Sequence, residues 1–130
     1  MVRKILLVED EADILRMYQI ALTKLGFEVD TAGDGEMALD KLKTPQNSYD
    51  LLLLDLMLPK VDGIQILKQV KNPDSNIKAL PVFLLTNLGA QNIINEALSL
   101  GAEKCFIKTD CLPGNLARKI QDYFSSTSPN

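Results

Sequence analysis

Leu51-Leu52-Leu53-Leu54-Asp55 is the stretch on which the fold turns. Four consecutive large apolar residues end abruptly in a carboxylate. A run without polar alternation fits a strand covered on both faces, as a central strand of a parallel sheet is. Two further runs have the same form. Ile5-Leu6-Leu7-Val8 leads into Glu9-Asp10, and Val82-Phe83-Leu84-Leu85 leads into Thr86. Weaker runs at Phe27–Thr31 and Cys105–Ile107 bring the predicted strands to five.

Helical spacing fills the intervals. Leu15, Tyr18, Leu22 and Leu25 recur at three- and four-residue steps, and Gly26 ends that helix. Asp34 has the chemistry of an N-cap for a second helix that turns Ala38 and Leu42 inward, with Pro45 closing it. A third helix is predicted from about Gly63 through Ile64, Leu67 and Val70 to the breaker Asn72-Pro73. A fourth uses Ile94, Ala97 and Leu98 before Gly101. A fifth follows Asp110, takes Pro113 in its first turn, and presents Leu116, Ile120 and Phe124.

Five strand–helix units in sequence make a doubly wound α/β domain. Right-handed crossovers leave few topologies, and five strands favour the flavodoxin-like order 2-1-3-4-5 within three α/β/α layers. There is no internal repeat, and no second domain is expected within these residues. Residues 1–124 form the predicted domain, and 125–130 read as a polar tail or the start of a linker.

Composition narrows the function. The chain has 130 residues, 46% hydrophobic and 24% charged, enough for one real core and too apolar for disorder. A net charge of −3 with no Lys/Arg stripe argues against direct nucleic-acid binding. No segment approaches the ~20 apolar residues of a membrane span, and the N-terminal run is too short for a secretory signal. Cys105 and Cys111 are too few for a disulfide framework, so free thiols and a cytoplasmic location are expected. The absence of His removes a Cys/His zinc site.

In such a sheet, ligands bind beyond the carboxyl ends of the strands, where the strand order reverses. Those ends carry Glu9, Asp10, Asp55, Thr86 and Lys108. Taken singly, Glu9 and Asp10 read as charges favouring a helix dipole, Asp55 as a turn residue, Thr86 as a strand-end hydroxyl and Lys108 as a solvated lysine. Their joint placement at four strand ends is what points to chemistry. Three clustered carboxylates need positive charge to stay ionised. Mg²⁺ suits oxygen ligands of this kind, and Lys108 adds a compact cation for a phosphoryl oxygen. With that charge neutralised, an Asp carboxylate is a competent nucleophile toward phosphorus.

The ordered strings Ile5-Leu6-Leu7-Val8-Glu9-Asp10-Glu11, Asp55-Leu56-Met57-Leu58-Pro59-Lys60-Val61-Asp62-Gly63, Leu84-Leu85-Thr86, Gly101-Ala102 and Ile107-Lys108 resemble the receiver domains of bacterial two-component response regulators. The resemblance runs from residue 3 to residue 124. It implies that Asp55 is the phosphoacceptor. It also implies that Asp10, Asp55 and the Met57 backbone carbonyl ligate Mg²⁺, with Glu9 acting directly or through water. Thr86 and Lys108 are implied to bind phosphoryl oxygens, Pro59 and Gly63 to shape the loop, and Met57 and Leu88 to tune dephosphorylation. The implied partner is a sensor histidine kinase or phosphotransfer protein, since this chain has no His of its own. The implied output surface is the face of the fourth helix, fifth strand and fifth helix (α4–β5–α5), offered to a second copy or a downstream effector.

Three positions depart from the family pattern. Cys105 stands where Tyr or Phe is usual, with Phe106 expected to face the opposite side as core. Thr109 replaces a Pro after Lys108, so a trans bond is expected. Asn87 replaces a small residue and is expected to crowd the entrance. Two rival readings share the residues: a Mg²⁺-dependent phosphatase with an Asp nucleophile, and a degenerate receiver acting as a phosphate-independent binding module. The first conventionally places its Asp after strand one, and the second has lost residues that are present here.

Overall fold

The computed structural model describes residues 2–87, 89 and 91–127. In chain order the elements are β1 (Lys4–Val8), α1 (Ala12–Lys24), β2 (Glu28–Ala32), α2 (Gly35–Lys43), β3 (Leu51–Asp55) and α3 (Gly63–Val70). They continue with β4 (Val82–Thr86), α4 (Gln91–Ser99), β5 (Lys104–Ile107), a 3-10 turn (Lys108–Asp110) and α5 (Pro113–Thr127). The strands pair in parallel in the order β2-β1-β3-β4-β5. The fold is the predicted one.

Alternation of side chains splits the sheet into two apolar faces. Leu6, Val8, Leu52, Leu54, Val82 and Leu84 pack against Ala38 and Leu42 of α2, Ile66, Leu67 and Val70 of α3, and Ile94 and Ala97 of α4. Ile5, Leu7, Leu51, Leu53, Phe83 and Leu85 meet Tyr18 and Leu22 of α1, and Leu116, Ala117, Ile120 and Phe124 of α5. Helices on both faces explain why β3 and β4 are buried along their whole length. The edge strand β2 is only half-buried. Lys41 and Tyr49 pin it, each donating to the Asp30 carboxylate at 2.7 Å.

Several boundaries differ from the apolar runs. β2 begins at Glu28, because the Phe27 amide still bonds the Leu22 carbonyl at the end of α1. The backbone ladder adds Lys4 and Lys104 at the starts of β1 and β5. It also draws Asp55 and Thr86 into the last positions of their strands rather than beyond them. Leu98, expected to face inward, is 40% exposed. The inward stripe of α4 runs through Ile94 and Ala97, with Ile93 and Leu100 beside it, and Leu98 falls on its flank. α5 continues through Thr127, past the predicted domain end at residue 124. Phe106 and Cys105 do face opposite sides, in the α1/α5 core and the α2/α3/α4 core respectively.

The turn into α3 carries the tightest backbone approach to Asp55. The Gly63 amide donates to the Leu56 carbonyl at 3.1 Å. A Cβ on Gly63 would lie 2.6 Å from Leu56 Cα and 2.7 Å from the Asp55 carbonyl oxygen, both backbone atoms. Gly63→Ala therefore forces a backbone shift, and the expected loss is about 1–3 kcal/mol. Urea unfolding tests it through a lower midpoint at unchanged slope; an unmoved midpoint refutes the contact.

Candidate functional site

Each functional side chain is placed by a strand end. Parallel pairing sets Val8 beside Leu54 and Asp55 beside Leu85, so Glu9, Asp55 and Thr86 emerge on neighbouring strands at one rim. Oxygens of Glu9, Asp10 and Asp55 lie within 4.8 Å of one another. Asp10 sits exposed at the mouth, while Glu9 and Asp55 are buried beneath it. Lys108 reaches in from the end of β5.

The hydrogen bonds show how two buried carboxylates are tolerated. Lys108 Nζ donates to Asp55 Oδ2 at 2.8 Å and contacts Glu9 Oε1 at 2.6 Å. The second contact is an ion pair without hydrogen-bond alignment, so Glu9 Oε1 has a charge partner but no aligned donor. The Met57 amide holds Asp55 Oδ1 at 3.0 Å. The Glu11 amide holds Glu9 Oε2 at 3.1 Å, and the Glu9 amide in turn bonds the Ala32 carbonyl at 3.1 Å.

Burial pushes the Glu9 carboxyl up to about 7, against the pull of Lys108 and the Glu11 amide. Burial also disfavours the Lys108 ammonium, but the Asp55 and Glu9 carboxylates outweigh it and hold its pKa above the ordinary value. The shared ammonium keeps the site together. Thr86 is fully buried, and among the described residues its Oγ1 has no hydrogen-bond partner. An orphaned hydroxyl of this kind is costly unless a further group meets it.

The donor set fits a hard divalent cation. Three carboxylates converge, one is exposed toward solvent, and Glu9 Oε1 lacks an aligned donor. Asn87 is exposed at the end of β4, and Leu88 lies outside the described residues. No peptide bond among the described residues is cis, so Lys108-Thr109 is trans, followed by the 3-10 turn. Cys105 is half-buried, Cys111 is buried, and both are free.

Two features escaped the sequence reading. Glu9, read as one ligand of several, is the more deeply buried partner of the lysine. Lys60, read only as part of a motif, has a positive φ of 68° and reaches Asp34 at 3.5 Å. An ion pair over so many residues leaves no periodic trace.

Known proteins identify the family of this chain. The profile of the response regulator receiver domain matches residues 5–121. A CpxR homolog from Haemophilus influenzae is 38% identical over 81% of this chain and 43% of its own length. The alkaline phosphatase synthesis regulator PhoP of Bacillus subtilis is 39% identical over 82% of this chain and 42% of its own. Against these transcriptional regulators the chain spans well under half their length; against the chemotaxis protein CheY of Treponema pallidum it covers 72%, at 34% identity over 81% of this chain. Among solved structures, the phosphorylated cyanobacterial phytochrome response regulator RcpA superposes with a TM-score of 0.86 at 29% identity, covering 99% of this chain and 98% of that one. No helix among the described residues is long and apolar enough to cross a membrane. With five parallel strands in the shared order and carboxylates gathered at their ends, the chain belongs to the response regulator receiver domain family.

Proposed function

We propose that this chain is the phosphoacceptor switch of a two-component relay, taking a phosphoryl group onto Asp55 from a phosphohistidine on a sensor kinase or phosphotransfer protein. The observation that carries the reading is the buried Lys108 ammonium shared between Asp55 and Glu9 beneath the exposed Asp10. A structural ion pair needs one carboxylate; two carboxylates on one lysine, with the third of Asp10 close by, leave room for further positive charge and for a phosphoryl group.

In the proposed step an Asp55 oxygen forms the new P–O bond as the P–N bond to the donor imidazole breaks. The imidazole keeps the electron pair and takes a proton from solvent, and Asp55 becomes an acyl phosphate. The Met57 amide and Lys108 hold the Asp55 carboxylate in a fixed plane beforehand. Asp10, Asp55, the Met57 carbonyl and Glu9 would hold Mg²⁺, which when bound supplies charge neutralisation for the carboxylates and the transferring oxygens. Lys108 then pairs with one phosphoryl oxygen, and the unpartnered Thr86 hydroxyl donates to another.

Drawing Thr86 and Lys108 inward biases the α4–β5–α5 face between two conformers, where a second copy or an effector would read the change. A shift from 1:99 to 99:1 requires about 5.5 kcal/mol of differential stabilisation. Cys105 in place of a large ring means that this face repacks around a small thiol. A cytoplasmic site of action follows from the proposed kinase partner.

Incubation with Mg²⁺ and acetyl phosphate is expected to add one hydroxylamine-sensitive phosphoryl mass, absent from Asp55→Asn. Equal labelling of that variant refutes the assignment.

Lys108→Met leaves Glu9 and Asp55 buried without a counter-charge, and the expected loss in metal-free buffer is about 3–5 kcal/mol. The pH dependence has a definite sign. Burial already pushes the Glu9 carboxyl up to about 7, above its ordinary 4.5, and losing the ammonium, which pulls it down, raises it further. The folded variant then binds more protons than the unfolded chain. Its deficit is largest near about pH 8 and shrinks toward about pH 5. Denaturation midpoints at both pH values check this; a deficit that grows with acid contradicts it.

Met57 is 57% exposed two residues past the acceptor. An apolar side chain there, with Leu88 as its counterpart, hinders water without activating it. The phosphorylated protein is expected to decay more slowly than the Met57→Asn, Leu88→Glu double variant. Equal or faster decay of the unsubstituted chain in Mg²⁺ removes the apolar gate.

A further inference from the structure

The turn from β2 into α2 touches both arms of the acidic centre. On one side the Ala32 carbonyl accepts from the Glu9 amide at 3.1 Å. On the other side α2 begins against the loop that follows Asp55. The Gly35 amide points at the Pro59 carbonyl at 3.4 Å. A Cβ on Gly35 would lie 1.8 Å from the Val61 carbonyl oxygen and 2.7 Å from its carbonyl carbon. The loop therefore rests directly on the first residue of α2.

Lys60, between those two contacts, takes a positive φ of 68° that L side chains rarely adopt. Its ammonium lies 3.5 Å from Asp34 Oδ2, and Asp34 also caps α2 by accepting from the Met37 amide at 2.8 Å. Strained backbone persists only where its surroundings over-determine it. At the base of the same loop the Met57 amide bonds Asp55 Oδ1, and the Gly63 amide closes onto Leu56. The loop is thus held at its base by its own bonds and at its middle by the start of α2.

We infer that the β2–α2 turn is a positioning element for the phosphoacceptor, with Gly35 as its contact residue. It fixes the path of residues 56–62 and, through the Met57 amide, the orientation of the Asp55 carboxylate. Gly35 touches no reacting atom and acts only through the loop. The Glu9 amide is anchored just before this turn, on Ala32 at the end of β2. Groups that act through a ligand-bearing segment in this way typically govern metal affinity as well as geometry.

The inference rests on the phosphoacceptor reading, and its test is separable from it. Hydrogen exchange of the Met57 amide is measured in the full chain without metal or phosphodonor. The Leu53 amide in the middle of β3 serves as the reference for global opening. Gly35→Ala is expected to raise Met57 exchange relative to Leu53 by about tenfold. Calorimetric titration should show a Mg²⁺ dissociation constant about tenfold higher. Gly33→Ala is the control, since a Cβ there meets nothing within 4 Å, and both readouts should match the unsubstituted chain.

If Gly35→Ala folds and its relative Met57 exchange matches that of Gly33→Ala, the inference is overturned. If Gly35→Ala does not fold, Asp34→Ala decides. It removes the cap and the Lys60 contact without touching the core, and about threefold faster relative exchange is expected. Exchange equal to the control overturns the inference. Exchange can respond while Asp55 takes no phosphoryl group, and Asp55 can be phosphorylated while exchange does not respond.

Discussion

The parallel ladder between β1 and β3, with Val8 beside Leu54, decides where this molecule carries charge. Both strands stop being apolar at the same rim, so Glu9 and Asp55 leave the core side by side. A slip of one residue in that register would turn every side chain of a strand to the other face. The leucines of β3 would then trade cores, and the carboxylates would no longer converge. The core and the acidic centre are consequences of one alignment. That alignment is held by burial on both faces, where β3 shows no solvent-exposed residue.

Packing two carboxylates into such a rim works only because Lys108 arrives from β5. Its side chain is almost wholly buried, and so are those of Glu9 and Asp55. Buried charges of this kind are strongly destabilising when left alone and close to neutral when paired. The resting site is therefore balanced rather than strongly stabilised. A centre in that condition can exchange one partner for another at modest cost. On the proposed reading, an arriving phosphoryl group competes with the carboxylates for the same ammonium, and Thr86 has an unused hydroxyl waiting at the adjoining strand end.

Much of this was legible in the sequence, for identifiable reasons. The runs Ile5–Val8, Leu51–Leu54 and Val82–Leu85 announced doubly covered strands because only burial on both faces tolerates unbroken apolarity. Asp34 announced the start of α2 because its side chain can accept from an amide three residues on, as it does. What stayed hidden was set by groups remote in sequence. The ends of β2 and β5 depend on ladder bonds that ignore hydropathy. Leu98 lost its inward place because Ile94, Ala97 and Leu100 define a tighter stripe. The depth of Glu9 depends on the β2 carbonyl and Lys108, and Gly35 gives no local sign that another loop rests on it.

Residues 105 and 106 divide their packing between the two faces of the sheet. Phe106 lies against Phe83, with ring centroids 5.8 Å apart, and Phe83 in turn meets Tyr123 edge-on at 4.9 Å. The large rings of this end of the sheet are thus committed to the α1/α5 side. Cys105 faces the other side, toward the core that includes Ile94, Ala97 and Ala102. That core is aliphatic, and a half-buried thiol joins it there without a ring. On the proposed reading, a displacement of Thr86 toward the acidic centre would take place beside the face where Cys105 packs with Ile94 and Ala97, while the aromatic stack of Phe83, Phe106 and Tyr123 lies on the opposite face.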